Sequence, residues 1–234
     1  MRIPLNVIHW YIGLPVLAYL WIRGLRSAKT STNQIGTYFA AASFLMLLAH
    51  LFYVVPTTFL TDSSQLSWAI FVGDTFQYIA LFVIWLIAIR IFSGSNVVAR
   101  NIAKVILALY TGICVAASYW ANIPYTTQVL WVDGHWKLDF AYPKYYAVLT
   151  GVDYLALVAL GVYFFLQAKI APTSAQKWRL RSFSWLFLIV GLLFSTQPVL
   201  PFEFQSASYT VLLSLGFLGV IVCSVMAAIA NKKQ

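Results

Sequence analysis

The chain has 234 residues, of which 62% are hydrophobic and 9% are charged, and its mean hydropathy is +0.82. A soluble domain has roughly 45–50% apolar and roughly 25% charged residues, so this composition excludes an ordinary soluble domain and predicts an integral membrane protein. The net charge is +9. Its basic residues fall between apolar runs instead of forming one basic face, and nucleic-acid binding is therefore not predicted.

Seven runs are long and apolar enough to cross a membrane, which takes about 20 residues each. We therefore expect an all-α membrane protein, with residues 1–234 forming a single domain of seven transmembrane helices. The first run follows Met1 and Arg2 without a small-residue cleavage site, so it is predicted to be a retained helix and not a signal peptide. The predicted helices cover residues 4–25, 35–59, 68–92, 98–121, 145–168, 178–200 and 206–230.

Basic residues are distributed unequally between the two sides of these runs. Three flank one side, namely Arg2, Lys137 and Lys144. Cytoplasmic loops carry the excess of lysine and arginine, so the N-terminus is predicted outside and the C-terminus in the cytoplasm. Twelve flank the other side: Arg23, Arg26, Lys29, Arg90, Arg100, Lys104, Lys169, Lys177, Arg179, Arg181, Lys232 and Lys233.

The outer loop between the fourth and fifth runs carries the pattern of a β-hairpin over residues 128–140. Asp133-Gly134 joins two alternating stretches, and a two-residue Asp-Gly connection is a strong signal for a type I′ turn. This register places Trp131 opposite Trp136, on one apolar face. The hairpin is expected either to cover an outer cavity as a lid or to pack as an ordinary loop.

Ionisable and polar groups occur inside several apolar runs. A carboxylate at the centre of a membrane helix costs about 2.5–3.5 kcal/mol on insertion scales, so Asp74 and Asp153 need partners, water or a proton. At 1.5 Å per residue, Asp74 lies roughly 9 Å below the outer edge, and His50 and Asp153 lie roughly 12 Å below it. These groups could form a hydrogen-bond network that fixes helix register, or they could line a pocket for a ligand or a proton. The candidate pocket residues are His50, Asp74, Gln77, Tyr78, Asp153 and Gln197, with Trp131 and Trp136 as a possible lid.

No cofactor is predicted. The seventh run contains no lysine, which excludes a retinal Schiff base there, and the histidines His9 and His50 differ in depth, which disfavours a haem between them. Cys114 and Cys223 are isolated inside apolar runs, and neither a CxxC nor an HExxH motif occurs, so no metal site is predicted. Without such a constellation we do not predict an enzyme.

Two further motifs follow the hairpin. Tyr142-Pro143-Lys144-Tyr145-Tyr146 leads into the fifth run, and a basic inner loop, Ser174-Ala175-Gln176-Lys177-Trp178-Arg179-Leu180-Arg181, leads into the sixth, which closes with Gln197-Pro198-Val199-Leu200-Pro201. With these motifs, residues 125–201 resemble part of the seven-helix N-terminal sensor module of bacterial membrane histidine kinases. The resemblance covers about a third of the chain, and it implies a sensor in the cytoplasmic membrane of a prokaryote. The chain ends at Asn231-Lys232-Lys233-Gln234 without the kinase domain of that family.

These observations predict a stand-alone, receptor-like protein. A ligand or proton in the outer pocket would alter helix packing, and the basic inner loops would pass the change to a cytoplasmic signalling protein or to a second copy of the chain. The lipid bilayer is the other expected partner. Two alternatives stay open: a small proton-coupled transporter or channel, and a structural subunit of a larger membrane complex.

Overall fold

The computed structural model describes residues 2–30, 34–93, 96–123, 127–139, 143–196 and 202–232, and these residues are mainly helical. Two predicted features lie outside them: Gln197, with the proline-rich end of the sixth run, and Phe140, at the end of the hairpin. The elements in chain order are a 3-10 turn (Leu5–Val7), α1 (Ile8–Thr30), α2 (Ile35–Phe59), α3 (Ser63–Phe92), α4 (Val97–Asn122), β1 (Gln128–Val132), β2 (His135–Asp139), α5 (Lys144–Lys169), α6 (Ser174–Thr196) and α7 (Phe202–Lys232).

The prediction of a helical membrane fold with a small hairpin is confirmed. Among the described residues, six helices (α2 to α7) contain a stretch that is long and apolar enough to cross a membrane. The remaining helix, α1, has 23 residues, contains Pro15 and ends in a basic last turn with Lys29. Seven helices therefore lie near the seven predicted runs, and six of them meet this condition.

Several helices begin earlier than hydrophobicity predicts, because their first turns are polar. Asp62 lies between the predicted second and third helices, and its side chain accepts a hydrogen bond from the backbone N–H of Gln65 at 2.8 Å. It therefore caps α3, which begins at Ser63 and not at residue 68. The hydroxyl of Thr173 accepts one from the backbone N–H of Gln176 at 3.2 Å, and α6 begins at Ser174 and not at residue 178. Such side chains satisfy backbone donors that a helix start leaves open.

Contacts group the chain into two compact units, residues 1–149 and residues 150–234. In the first unit α1 packs against α2, α2 against α3, and α3 against α4. Its two ends differ. The hairpin end carries the apolar cluster of Val7, Leu66 and Leu138. The basic end carries Arg90, near the end of α3, and Arg100, in the first turn of α4.

The hairpin has the predicted register. Asp133 and Gly134 adopt φ of 49° and 78°, as a type I′ turn requires, and Trp131 pairs with Trp136. The two indole rings meet edge to face, with centroids 5.1 Å apart and planes at 71°. This geometry is a favourable aromatic contact across the strands.

The hairpin docks on the first unit through the apolar face that carries its tryptophans. Leu138 is 1% exposed and lies against Val7 and Leu66, whereas Trp131, at the tip of the same face, is 60% exposed. Arg2 also contacts the hairpin end of the first unit. Its guanidinium donates a hydrogen bond to the carbonyl of Leu60 and lies 5.7 Å from the centroid of the Trp136 ring. The hairpin is therefore packed onto helix ends, and whether it also acts as a lid stays a prediction.

The second unit holds the rest of α5 together with α6 and α7. Tyr154 stacks on Phe194, with ring centroids 4.4 Å apart. At Gly191 an added Cβ would lie 2.8 Å from the backbone nitrogen of Val158, so the two helices approach closely there. Small residues at such crossings are typical of helix packing in membranes.

The surface of α4 is apolar over most of its length. Val98, for example, is 69% exposed. Other large apolar side chains follow on the same exposed surface, namely Val97, Ile102, Val105, Ile106, Leu109, Ile113 and Trp120. Contiguous apolar exposure of this extent suits contact with lipid and not with water.

Candidate functional site

Asp74 lies at the centre of a buried polar cluster in the first unit. Its side chain is 4% exposed, and it stands on α3, three turns from the start of that helix. Its partners come from three other helices. We define the Asp74 cluster as Tyr53, Asp74, Ser118, Asn122 and Tyr146.

Four side chains donate hydrogen bonds to the Asp74 carboxylate. The Tyr53 hydroxyl donates to Oδ1 at 2.7 Å. The other three donate to Oδ2: the Tyr146 hydroxyl at 2.7 Å, the Ser118 hydroxyl at 2.8 Å and the Asn122 amide at 2.9 Å. A carboxylate has about four lone-pair positions, so its acceptor capacity is in use without any cation in the cluster.

The local sequence explains how each donor arrives. Ser118 and Asn122 are four residues apart on α4, so both face the same neighbour. The Asn122 amide also donates to the Ser118 backbone carbonyl at 3.0 Å, which fixes its orientation. Tyr146 lies in the first turn of α5, which brings its hydroxyl to the hairpin end.

Gly73 makes room for the fourth donor. A Cβ built at Gly73 would lie 2.4 Å from Cε1 of Tyr53 and 2.7 Å from its Cδ1. The Tyr53 ring therefore crosses α3 where that helix has no side chain. This close approach lets its hydroxyl reach Asp74 on the next residue.

The neighbouring candidates Gln77 and Tyr78 both lie beside this cluster. The Gln77 side-chain oxygen accepts a hydrogen bond from the Tyr53 hydroxyl at 3.2 Å. Tyr78 is fully buried, and its ring meets that of Tyr146 edge to face, with centroids 6.3 Å apart. Both side chains contact donors of the cluster instead of the carboxylate itself.

His50 has a different hydrogen-bond partner. Its Nδ1 lies 2.9 Å from the backbone carbonyl of Met46, one turn earlier on α2, so this nitrogen donates to its own helix. The ring is 6.1 Å from that of Tyr53. His50 therefore neighbours Tyr53, a member of the Asp74 cluster, but it is not one of the four donors to Asp74.

The remaining candidates are Asp153 and Gln197. Asp153 is fully buried and belongs to the second unit, whereas Asp74 belongs to the first. Gln197 lies outside the described residues. A pocket shared by Asp74, Asp153 and Gln197 therefore stays a prediction.

One aromatic side chain connects the hairpin with the Asp74 cluster. Trp10 packs against the hairpin cluster of Val7, Leu66 and Leu138. It also stacks on the Tyr53 ring, with centroids 4.6 Å apart and planes at 26°. A continuous path of packed side chains thus runs from the cluster of Val7, Leu66 and Leu138 through Trp10 and Tyr53 to Asp74.

Sequence reasoning missed the four donors, although one signal for them exists. Ser118 and Asn122 are polar residues with helical spacing near the predicted outer end of an apolar run, as Asp74 is in its own run. Tyr53 and Tyr146 carry no such signal, because tyrosine is common in cores and at membrane interfaces.

No protein-family model and no curated protein matches the chain. Within the described ranges, no three His, Cys, Asp or Glu side chains come together as a metal site would require. The resemblance to a histidine-kinase sensor module therefore stays a prediction from sequence, and the site has to be interpreted from its own geometry.

Proposed function

We propose that the chain is a receptor-like integral membrane protein in which the Asp74 cluster is the element that changes state. The observation that carries this proposal is the convergence of donors from α2, α4 and α5 on one carboxylate of α3. A change at this carboxylate acts on four helices at once. The proposed topology has seven spans, with the hairpin end outside and the basic end in the cytoplasm of a prokaryote.

The chemistry of the switch follows from counting donors and acceptors. An ionised carboxylate only accepts, whereas a protonated one carries an O–H donor and has less acceptor capacity. On protonation, at least one of the four donors has to find another partner, and the helix that bears it shifts or rotates. A buried donor that loses its acceptor costs about 1–3 kcal/mol, which is enough to alter the balance between two packing arrangements.

The hairpin supplies the route for an outer ligand. Asp74 is buried, so a molecule that binds outside acts on it through the path Leu138, Trp10 and Tyr53. The resulting helix movement would be read at the basic end by a cytoplasmic partner or a second copy of the chain.

Hydrogen exchange of the full chain in lipid nanodiscs tests the switch, at about pH 5 and about pH 8. After correction for the intrinsic base-catalysed rate of amide exchange, we expect weaker protection at the lower pH near Tyr53 on α2 and near Ser118 on α4. The D74N variant carries a neutral amide of the same shape, so its protection from exchange should be the same at both pH values. Asp62→Asn is the matched control, because it removes the acid that caps α3, outside the cluster, and should keep the wild-type response.

A structural subunit of a larger complex is the second candidate function, because the Asp74 cluster is already satisfied by internal hydrogen bonds. If the protection of the wild-type protein from exchange is the same at both pH values and D74N lowers only thermal stability, the cluster serves helix packing alone. A proton flux across proteoliposomes that D74N abolishes would instead identify a proton-coupled carrier.

A further inference from the structure

A cavity of about 270 Å³ opens at the basic end of the first unit, remote from the Asp74 cluster. Drug-sized ligands occupy roughly 300–1,000 Å³, so this cavity suits a smaller group. Its six lining residues come from α2, α3 and α4 and from the residue preceding α2: Gln34, Tyr38, Leu86, Arg90, Arg100 and Lys104.

Three of the lining side chains are cations, and one of them is held in place. The Arg90 guanidinium donates from Nη1 to the Gln34 side-chain oxygen at 2.5 Å. A guanidinium has five N–H donors, so this bond orients Arg90 and leaves donors for a ligand. Arg100 and Lys104 are four residues apart and project from one face of α4.

No carboxylate balances these charges at the cavity wall. The lining residues include no acid. The neighbouring residues outside the described part, 31–33 and 94–95, are Ser, Thr, Asn, Gly and Ser, so they supply none either. Three like charges around one cavity repel each other, and a bound anion removes that repulsion.

The helix directions add to the positive potential. Both α2 and α4 begin at this end, at Ile35 and Val97. The start of a helix carries a partial positive charge and open N–H groups, which favour phosphate.

The surroundings point to a lipid as the source of the anion. Val97, Val98 and Ile102 are exposed apolar side chains on the same turns of α4 as Arg100. A phosphate in the cavity would therefore sit beside a surface suited to acyl chains. Basic pockets between membrane helices on the cytoplasmic side commonly bind anionic headgroups.

We propose that this cavity binds the phosphate of an anionic lipid headgroup, with Arg90, Arg100 and Lys104 as its cationic ligands and Tyr38 as a further donor. This site does not depend on the receptor role, because it uses none of the residues of the Asp74 cluster.

Native mass spectrometry of the full chain tests the site, with phosphatidylglycerol and with phosphatidylcholine of the same acyl chains as probes. We expect phosphatidylglycerol to bind more tightly. The R100Q/K104Q variant should bind phosphatidylglycerol about 30-fold more weakly, on the scale of the contribution of two basic residues at a membrane surface. The R100K/K104R variant keeps both charges and should bind within a few-fold of wild type.

The matched control is K29Q/R179Q, which removes one lysine and one arginine from the same predicted side of the membrane but outside the cavity. If this control weakens phosphatidylglycerol binding as much as R100Q/K104Q does, the weakening reflects general surface charge and the proposal is overturned. Equal binding of the two lipids would also overturn it. Glycerol phosphate is the soluble probe: if it binds as tightly as phosphatidylglycerol, the assignment to a lipid is wrong.

Discussion

Gly73 and Tyr53 show how a single missing side chain determines the Asp74 cluster. The Tyr53 ring occupies the position that a Cβ of residue 73 would take, at 2.4 Å from Cε1. A clash with an aromatic ring that is itself buried cannot be relieved by a small rotation. The ring would have to withdraw, and its 2.7 Å hydrogen bond to Asp74 would be lost with it.

The G73A variant should therefore be less stable than wild type by about 1–3 kcal/mol, the usual cost of overpacking. Thermal unfolding of the purified protein in detergent measures the difference. The control is G112A on α4, where an added Cβ meets nothing within 4 Å. Alanine is the better helix former by up to about 1 kcal/mol, so G112A should be neutral or stabilising. A G73A protein as stable as wild type would show that Tyr53 does not need this gap.

At the scale of residues, the sequence predicts that Asp74 needs partners, but it does not predict which residues they are. A carboxylate inside an apolar run has to have partners, so Asp74 is conspicuous from the sequence alone. Its donors are not conspicuous, because a serine, an asparagine and two tyrosines are ordinary residues of membrane helices. Only the packing of α2, α4 and α5 around α3 brings them to one point.

At the scale of elements, the hairpin is the part that local sequence determines most fully. The Asp-Gly turn sets the register, and both residues adopt the predicted positive φ. The alternating pattern does not predict which apolar side chain of the hairpin is buried against the helices. Leu138 is buried against Val7 and Leu66, whereas the more conspicuous Trp131 is exposed.

The L138A variant should release the hairpin from the helix ends. Truncating a buried leucine costs about 2–5 kcal/mol, and Leu138 is the one fully buried side chain among residues 128–139. We expect the hairpin amides to exchange hydrogen faster and a protease to cleave near Asp133 more rapidly. L130A is the comparison, because Leu130 lies on the other, exposed face of the same hairpin and should leave both rates near wild type. Faster cleavage in both variants to the same degree would argue against docking through Leu138.

The helix boundaries are predicted less accurately than the hairpin. Apolar runs find the helices, yet α3 and α6 each begin with a polar turn that belongs to the helix through a capping side chain. The capping residues Asp62 and Thr173 were available in the sequence, and their spacing to the helix start follows a known pattern.

For the whole molecule, charge predicts the orientation. In the first unit, the hairpin end carries Arg2 and Lys137, whereas the other end carries Arg90, Arg100 and Lys104. This distribution follows the positive-inside rule with the hairpin outside.

Single cysteines should report this orientation. A membrane-impermeant maleimide should label Leu130→Cys in intact cells, and it should label Lys29→Cys only in inverted membrane vesicles. Both positions are exposed, whereas the natural Cys114 and Cys223 are buried and should react slowly in either preparation. The reverse pattern of labelling would place the hairpin in the cytoplasm and invert the proposed topology.

The helix α4 contributes residues both to the Asp74 cluster and to the cavity at the basic end. Ser118 and Asn122 hold one end to Asp74, and Arg100 and Lys104 line the cavity at the other. From Lys104 to Ser118 is a rise of about 21 Å along one continuous helix. Most of its exposed flank is apolar, so α4 is a single continuous element that connects the Asp74 cluster with the cavity. We therefore expect a change of state in the Asp74 cluster to alter binding in the cavity, and by reciprocity a bound headgroup to alter the cluster by the same free energy.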